Sequence, residues 1–170
     1  MADDFTEEDG TLPLIERFGY TVFCDDIRRE IGGKLTYVGI YTNLMLVNGT
    51  FPYILPKFGF GMYIFEKLEN YCDKITLRIY LPGDKSGNPS IEAEMPADQV
   101  SNPHPSSVYR VSSSHLVFSP VLLKEPGIIR VRALCGKDIM RIGGMRIEQA
   151  QPKPTVSIDA THSGSPPSGG

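Results

Sequence analysis

The sequence predicts an all-β protein, and three observations carry that prediction. Several segments alternate apolar and polar residues with a period of two instead of 3.6. The chain is rich in turn formers, with 17 Gly and 14 Pro among 170 residues. No alternation of strands with long helical stretches is visible, which argues against a parallel doubly wound sheet. About seven or eight short strands at regular spacing read as a single antiparallel β-sandwich.

Residues 20–24 form a short apolar strand. Residues 25–31 are the one helical candidate, a single turn that Asp25 or Asp26 would cap. Gly32 and Gly33 then supply positive φ for the turn that launches a strand over 34–41. A third strand, 57–65, sets Gly59 and Gly61 on one face and Phe58, Phe60, Met62 and Ile64 on the other, so another group is expected to approach closely over the glycines. The clearest alternation is 75–81, with Ile75, Leu77, Ile79 and Leu81 on one face and Thr76, Arg78 and Tyr80 on the other. Pro82-Gly83-Asp84 ends it.

Residues 90–95 are a short strand, and 112–123 supply one or two more. Glu125-Pro126-Gly127 turns the chain into an alternating strand over 128–135, with Ile129, Val131, Ala133 and Cys135 inward and Arg130 and Arg132 outward. After the Gly136-Lys137-Asp138 turn the chain returns over 139–147, with a bulge or kink expected at Gly143-Gly144. A Pro-Gly turn before a strand with polar outward residues suits the closing hairpin of an immunoglobulin-like sandwich.

The domain is expected over residues 14–150, between a flexible acidic N-terminus at 1–13 and a disordered tail at 151–170 rich in Pro, Ser and Gly. The N-terminus lacks the basic and apolar pattern of a signal peptide, and no run approaches the roughly 18 apolar residues of a membrane span, so no membrane partner is expected. Cys24, Cys72 and Cys135 are odd in number and widely spaced, which reads as free thiols, mostly core hydrophobes, in a reducing, cytoplasmic compartment.

An ordered string of short motifs runs through this core: Phe23-Cys24-Asp25-Asp26-Ile27-Arg28, Glu30-Ile31-Gly32-Gly33-Lys34-Leu35, Val38-Gly39-Ile40-Tyr41, Phe51-Pro52 and Leu55-Pro56-Lys57. It resembles a bacterial and phage family catalogued as a domain of unknown function, over residues 20–148. The resemblance implies a small immunoglobulin-like β-sandwich and brings no activity, cofactor or catalytic residue with it.

Chemistry-bearing groups are sparse. Asp25, Asp26 and Glu30 are the candidates for a hard cation, but Arg28 and Arg29 between them favour a salt-bridged turn, and no metal or cofactor is expected. His104, His115 and His162 have no second histidine at ligand spacing, and Ser114 and His115, as strand neighbours, point to opposite faces. His115 is expected to hydrogen-bond a neighbour. Gly-Gly-Lys at 32–34 lacks the phosphate-loop spacing.

The outward arginines stand out. Arg78, Arg130 and Arg132 lie on polar strand faces, and Arg141 and Arg146 flank the Gly-Gly kink. Residues 120–150 hold six basic and three acidic residues, whereas 1–30 hold nine acidic and three basic, within an overall net charge of −3. Arg78, Arg130, Arg132 and Arg141 are therefore the candidate ligand-binding residues. Nucleic acid is not expected, because no stacking aromatic platform is interleaved with these arginines in a recognised motif.

The first functional reading is a non-enzymatic binding or interaction module, an accessory protein of a phage or mobile element, acting on a protein partner or through self-association. A homodimer fits an open edge strand and unlike charge at the two ends. The second is capture of a small, nucleotide-type anion on the arginines. The third is a hydrolase or lyase with a site assembled from separated loops, for example Asp25, Asp73 and His115.

Overall fold

A computed structural model describes residues 16–85, 87–95 and 107–151. Within them the chain is all-β, without a helix. The strands are β1 (Arg17–Arg29), β2 (Leu35–Tyr41), β3 (Leu44–Val47), β4 (Tyr53–Leu55), β5 (Phe58–Lys67), β6 (Ile75–Tyr80), β7 (Ile91–Glu94), β8 (Tyr109–Phe118), β9 (Val121–Leu123), β10 (Gly127–Cys135) and β11 (Asp138–Gln149). One sheet has the order β2-β1-β5-β8, a second β3-β11-β10-β6-β7, and β4 pairs with β9 in a small third ribbon. The two larger sheets share one core, an arrangement consistent with a β-sandwich.

The period-two pattern selects that core. Ile75, Leu77 and Ile79 from β6, Ile129, Val131 and Ala133 from β10, and Phe58, Phe60, Met62 and Ile64 from β5 are all buried. The expected bulge is present. Val131 pairs with Gly143 and Arg132 with Arg141, so Ile142 is passed over in the ladder and turns into the core. Gly143 gives β1 room, since a Cβ there would lie 2.7 Å from Thr21 Cβ.

Several expectations need correction. The helical turn over 25–31 does not form: β1 runs on to Arg29 and pairs with β2, Asp26 opposite Val38 and Ile27 opposite Tyr37. That ladder satisfies backbone groups that a one-turn helix would leave open. Gly32 and Gly33, at φ 80° and 76°, close the hairpin as the turn reading required. The described residues form eleven strands, not seven or eight, and β3 runs parallel to β11, so the fold is not purely antiparallel. β3 and β4 are only four and three residues long, too short to show an alternation in sequence.

The free-thiol reading fails for two of three cysteines. Cys72, in the β5–β6 connection, and Cys135, at the end of β10, form a disulfide with their Cα atoms 5.9 Å apart. Their 63-residue separation hid this meeting, and the cysteine argument for a reducing compartment loses its support. Cys24 is free and buried, its thiol pushed up to about 11 by burial and by the nearby Asp25 and Asp26 carboxylates. That disfavours a reactive thiolate. The acidic start and the Pro/Ser/Gly tail, with His104 and His162, lie outside the described residues.

Candidate functional site

The second sheet brings the four arginines singled out in the sequence onto one outward face. Arg132, at the centre of β10, pairs directly with Arg78 on β6 and with Arg141 on β11. Adjacent strands lie about 4.8 Å apart, so the three residues form a row roughly 10 Å long. Arg130 sits two residues along β10, opposite Tyr80 and Gly144. Opposed like charges on one sheet face are unfavourable unless something neutralises them.

Neutralisation is uneven along the row. Arg78 is occupied, its Nε 2.6 Å from Glu92 Oε2, and that hydrogen bond holds its pKa above the usual value. Arg130 donates to the Asp84 carbonyl at 2.9 Å and lies over the Tyr80 ring. Among the described residues Arg132 donates only to the Val131 carbonyl, at 3.0 Å. Burial, followed by the nearby Arg141 and Arg130 charges, pulls the Arg132 pKa down. Neither Arg132 nor Arg141 has a carboxylate partner among the described residues. Both border an open depression floored by Ile128, Gly143 and Gly144. The guanidiniums of Arg132 and Arg141 at its edge are suited to charge-assisted hydrogen bonds with an anion.

The other candidates are dispersed. In strand β1 the acids do not converge: Asp25 accepts a hydrogen bond from the Tyr41 hydroxyl, while Asp26 lies 3.2 Å from Lys57 Nζ and 3.6 Å from Arg28 Nε. Partial desolvation raises the Asp26 carboxyl, but Lys57, the Ile27 amide and Arg28 more than reverse this and hold it low. Glu30 is exposed in the hairpin turn, and the described residues contain no cluster of three potential metal ligands. Asp84, in the turn after β6, accepts from the Leu81 and Ser90 amides and the Ser90 hydroxyl, holding that turn.

Sequence reasoning missed the outward face of the first sheet. Phe18 and Tyr20 on β1 pair across to Phe65 and Tyr63 on β5, and their rings stack at 4.7 and 5.0 Å. Tyr63 Oη lies 2.7 Å from Tyr37 Oη and 3.2 Å from His115 Nε2. The Tyr37 ring lies over Gly61, which gives the expected close approach a partner. Burial, then the nearby Arg29 charge, lowers the His115 pKa. The available signal was that the strand over 57–65 carries aromatics on both faces, Phe58 and Phe60 on one and Tyr63 and Phe65 on the other.

Compared with known protein families, curated proteins and solved structures, the chain matches none.

Proposed function

We propose that this protein is a non-enzymatic binding module, an immunoglobulin-like sandwich that takes an anionic ligand on the outward face of its second sheet. One observation carries the reading: Arg132 and Arg141 oppose each other across β10 and β11, and neither has a carboxylate partner among the described residues. An anion bridging the two guanidiniums relieves that repulsion and makes charge-assisted hydrogen bonds to both. The resemblance of the core to a bacterial and phage family extends the reading to an accessory protein of a phage or mobile element.

The test is calorimetric titration with inorganic phosphate and pyrophosphate at low ionic strength. Binding that weakens with salt and disappears in the Arg132→Ala/Arg141→Ala double variant is the expected outcome. Silence in the wild type, or undiminished binding by the double variant, overturns the reading.

A second reading, docking of a protein partner or a second copy, is favoured by the outward aromatics of the first sheet, where Phe18 and Tyr20 remain 40% and 46% exposed. Its check is the solution mass at rising concentration. A Tyr20→Glu variant is expected to dissociate any oligomer, and a monomer at every concentration removes self-association. No observation favours the hydrolase reading: His115 faces two tyrosines, and Asp25 is engaged by Tyr41.

A further inference from the structure

The first sheet is apolar on both sides. Its outward residues over 18–24 of β1, 59–65 of β5 and 111–117 of β8 include no carboxylate, lysine or arginine. Phe18, Tyr20, Val111 and Val117 on that face are between 38% and 46% exposed. Tyr37, Tyr63 and His115 already satisfy one another, so the face asks for an apolar complement. A sheet that is apolar on both sides is normally covered on both.

The two ends of the face are unlike. Past Cys24, β1 pairs with β2 alone, and the pair runs out into a hairpin that turns at Gly32 and Gly33. Ile31 stands at its tip, 99% exposed, and a Cβ on either glycine would meet nothing within 4 Å. The exposed Arg28, Arg29 and Lys34 around it outnumber Glu30. At the opposite end, where β5 stops at Lys67 and β8 starts at Tyr109, lies an open depression lined by Lys67, Leu68, Glu69, Ser107 and Val108. Val108 is 50% exposed and Glu69 is exposed. Glu16 borders the same end, 2.6 Å from Lys67 Nζ, with its side chain still 62% exposed.

One end therefore offers an aliphatic knob with basic flanks, and the other a depression with aliphatic walls and an acidic rim. The face is complementary to itself. A two-fold axis lying in the plane of the face, across the strands, sets two copies antiparallel and brings each knob to the other's depression. An axis along the strands would instead set Arg29 against Arg29 and Glu16 against Glu16, which like charge disfavours.

We infer that the outward face of the first sheet closes on a second copy of this chain, antiparallel, with Ile31 seated between Leu68 and Val108 of the other copy and Arg29 facing its Glu16 and Glu69. The inference rests on the docking reading above and names the partner and its orientation.

The experiment measures the mass of the full chain in solution at rising concentration, alone and with substitutions. A dimer of twice 18.8 kDa is expected. Ile31→Asp, at an exposed turn position, is expected to weaken it at least about tenfold, because a buried isoleucine anchor is lost. Ile31→Cys and Val108→Cys, both at exposed positions, supply the orientation: mixed and air-oxidised, they are expected to form a disulfide-linked pair, and neither links to itself. Ile31→Cys linking to itself overturns the antiparallel arrangement. A dimer weakened by Tyr20→Glu but not by Ile31→Asp overturns the knob and leaves docking on this face standing. A dimer indifferent to both substitutions overturns the inference and the docking reading of this face together. A monomer at every concentration overturns the inference and leaves that face to an unlike partner.

Discussion

The outward faces of the two sheets handle their chemistry in opposite ways. On the first sheet the reactive-looking groups satisfy one another: Tyr37, Tyr63 and His115 form a hydrogen-bonded chain, and the rings of Phe18, Tyr20, Tyr63 and Phe65 stack in cross-strand pairs. On the second, three arginines stand in one row and, among the described residues, only Arg78 finds a carboxylate. A face whose groups pair internally contributes to stability. A face that leaves like charges opposed has chemistry left for a ligand. Removing groups from the first face should therefore cost stability, and removing them from the second should cost binding.

The hardest test of that contrast is Gly61→Leu, which fills the space that the Tyr37 ring occupies over β5. Overpacking there is expected to destabilise by about 2 kcal/mol in chemical denaturation, with anion binding retained. A smaller effect is expected from Tyr63→Phe, which keeps the ring stack on Tyr20 and removes the hydroxyl shared by Tyr37 and His115. A loss of about 1 kcal/mol is anticipated, and none at all would mean the hydrogen-bonded chain contributes nothing.

The His115 prediction sharpens the same face by pH. Burial, helped by Arg29, depresses the folded-state pKa below the unfolded value, so the fold favours the neutral ring. The stabilisation is present above the unfolded value, near 6.5, and is lost as pH falls through the folded one. Melting temperatures of the wild type and His115→Gln, followed from pH 7.5 down to 5, should converge as the wild type loses its advantage. Parallel curves would show that the ring is not held neutral. The smallest stability effect belongs to the second face. Arg132→Ala and Arg141→Ala are each expected to change unfolding free energy by no more than about 0.5 kcal/mol. A loss several times larger would assign these arginines to the fold instead of to a ligand.

How much of this was legible in the sequence depended on whether a feature was local. The strict alternation of Ile75, Leu77 and Ile79 and of Ile129, Val131 and Ala133 identified both strands and their buried faces, because side-chain direction in a strand depends only on parity. It also turned Arg78, Arg130 and Arg132 outward. The helical expectation at residues 25–31 failed because local capping residues were weighed without the β2 partner that captures the same backbone. The disulfide escaped because a 63-residue separation says nothing about proximity. The aromatic face escaped because a strand that is apolar on both sides resembles a fully buried one.

By itself, then, the sequence determined the all-β class, the positive-φ turn at Gly32-Gly33, the bulge beside Gly143 and the outward direction of the arginines. Each follows from steric preference or from parity along a single strand. Only the tertiary structure decided that Arg78, Arg132 and Arg141 share one row, that among the described residues Glu92 neutralises only the first of them, and that an open depression lies beside Arg132 and Arg141. Those facts depend on strand order and register, which long-range packing selects and which no segment carries alone.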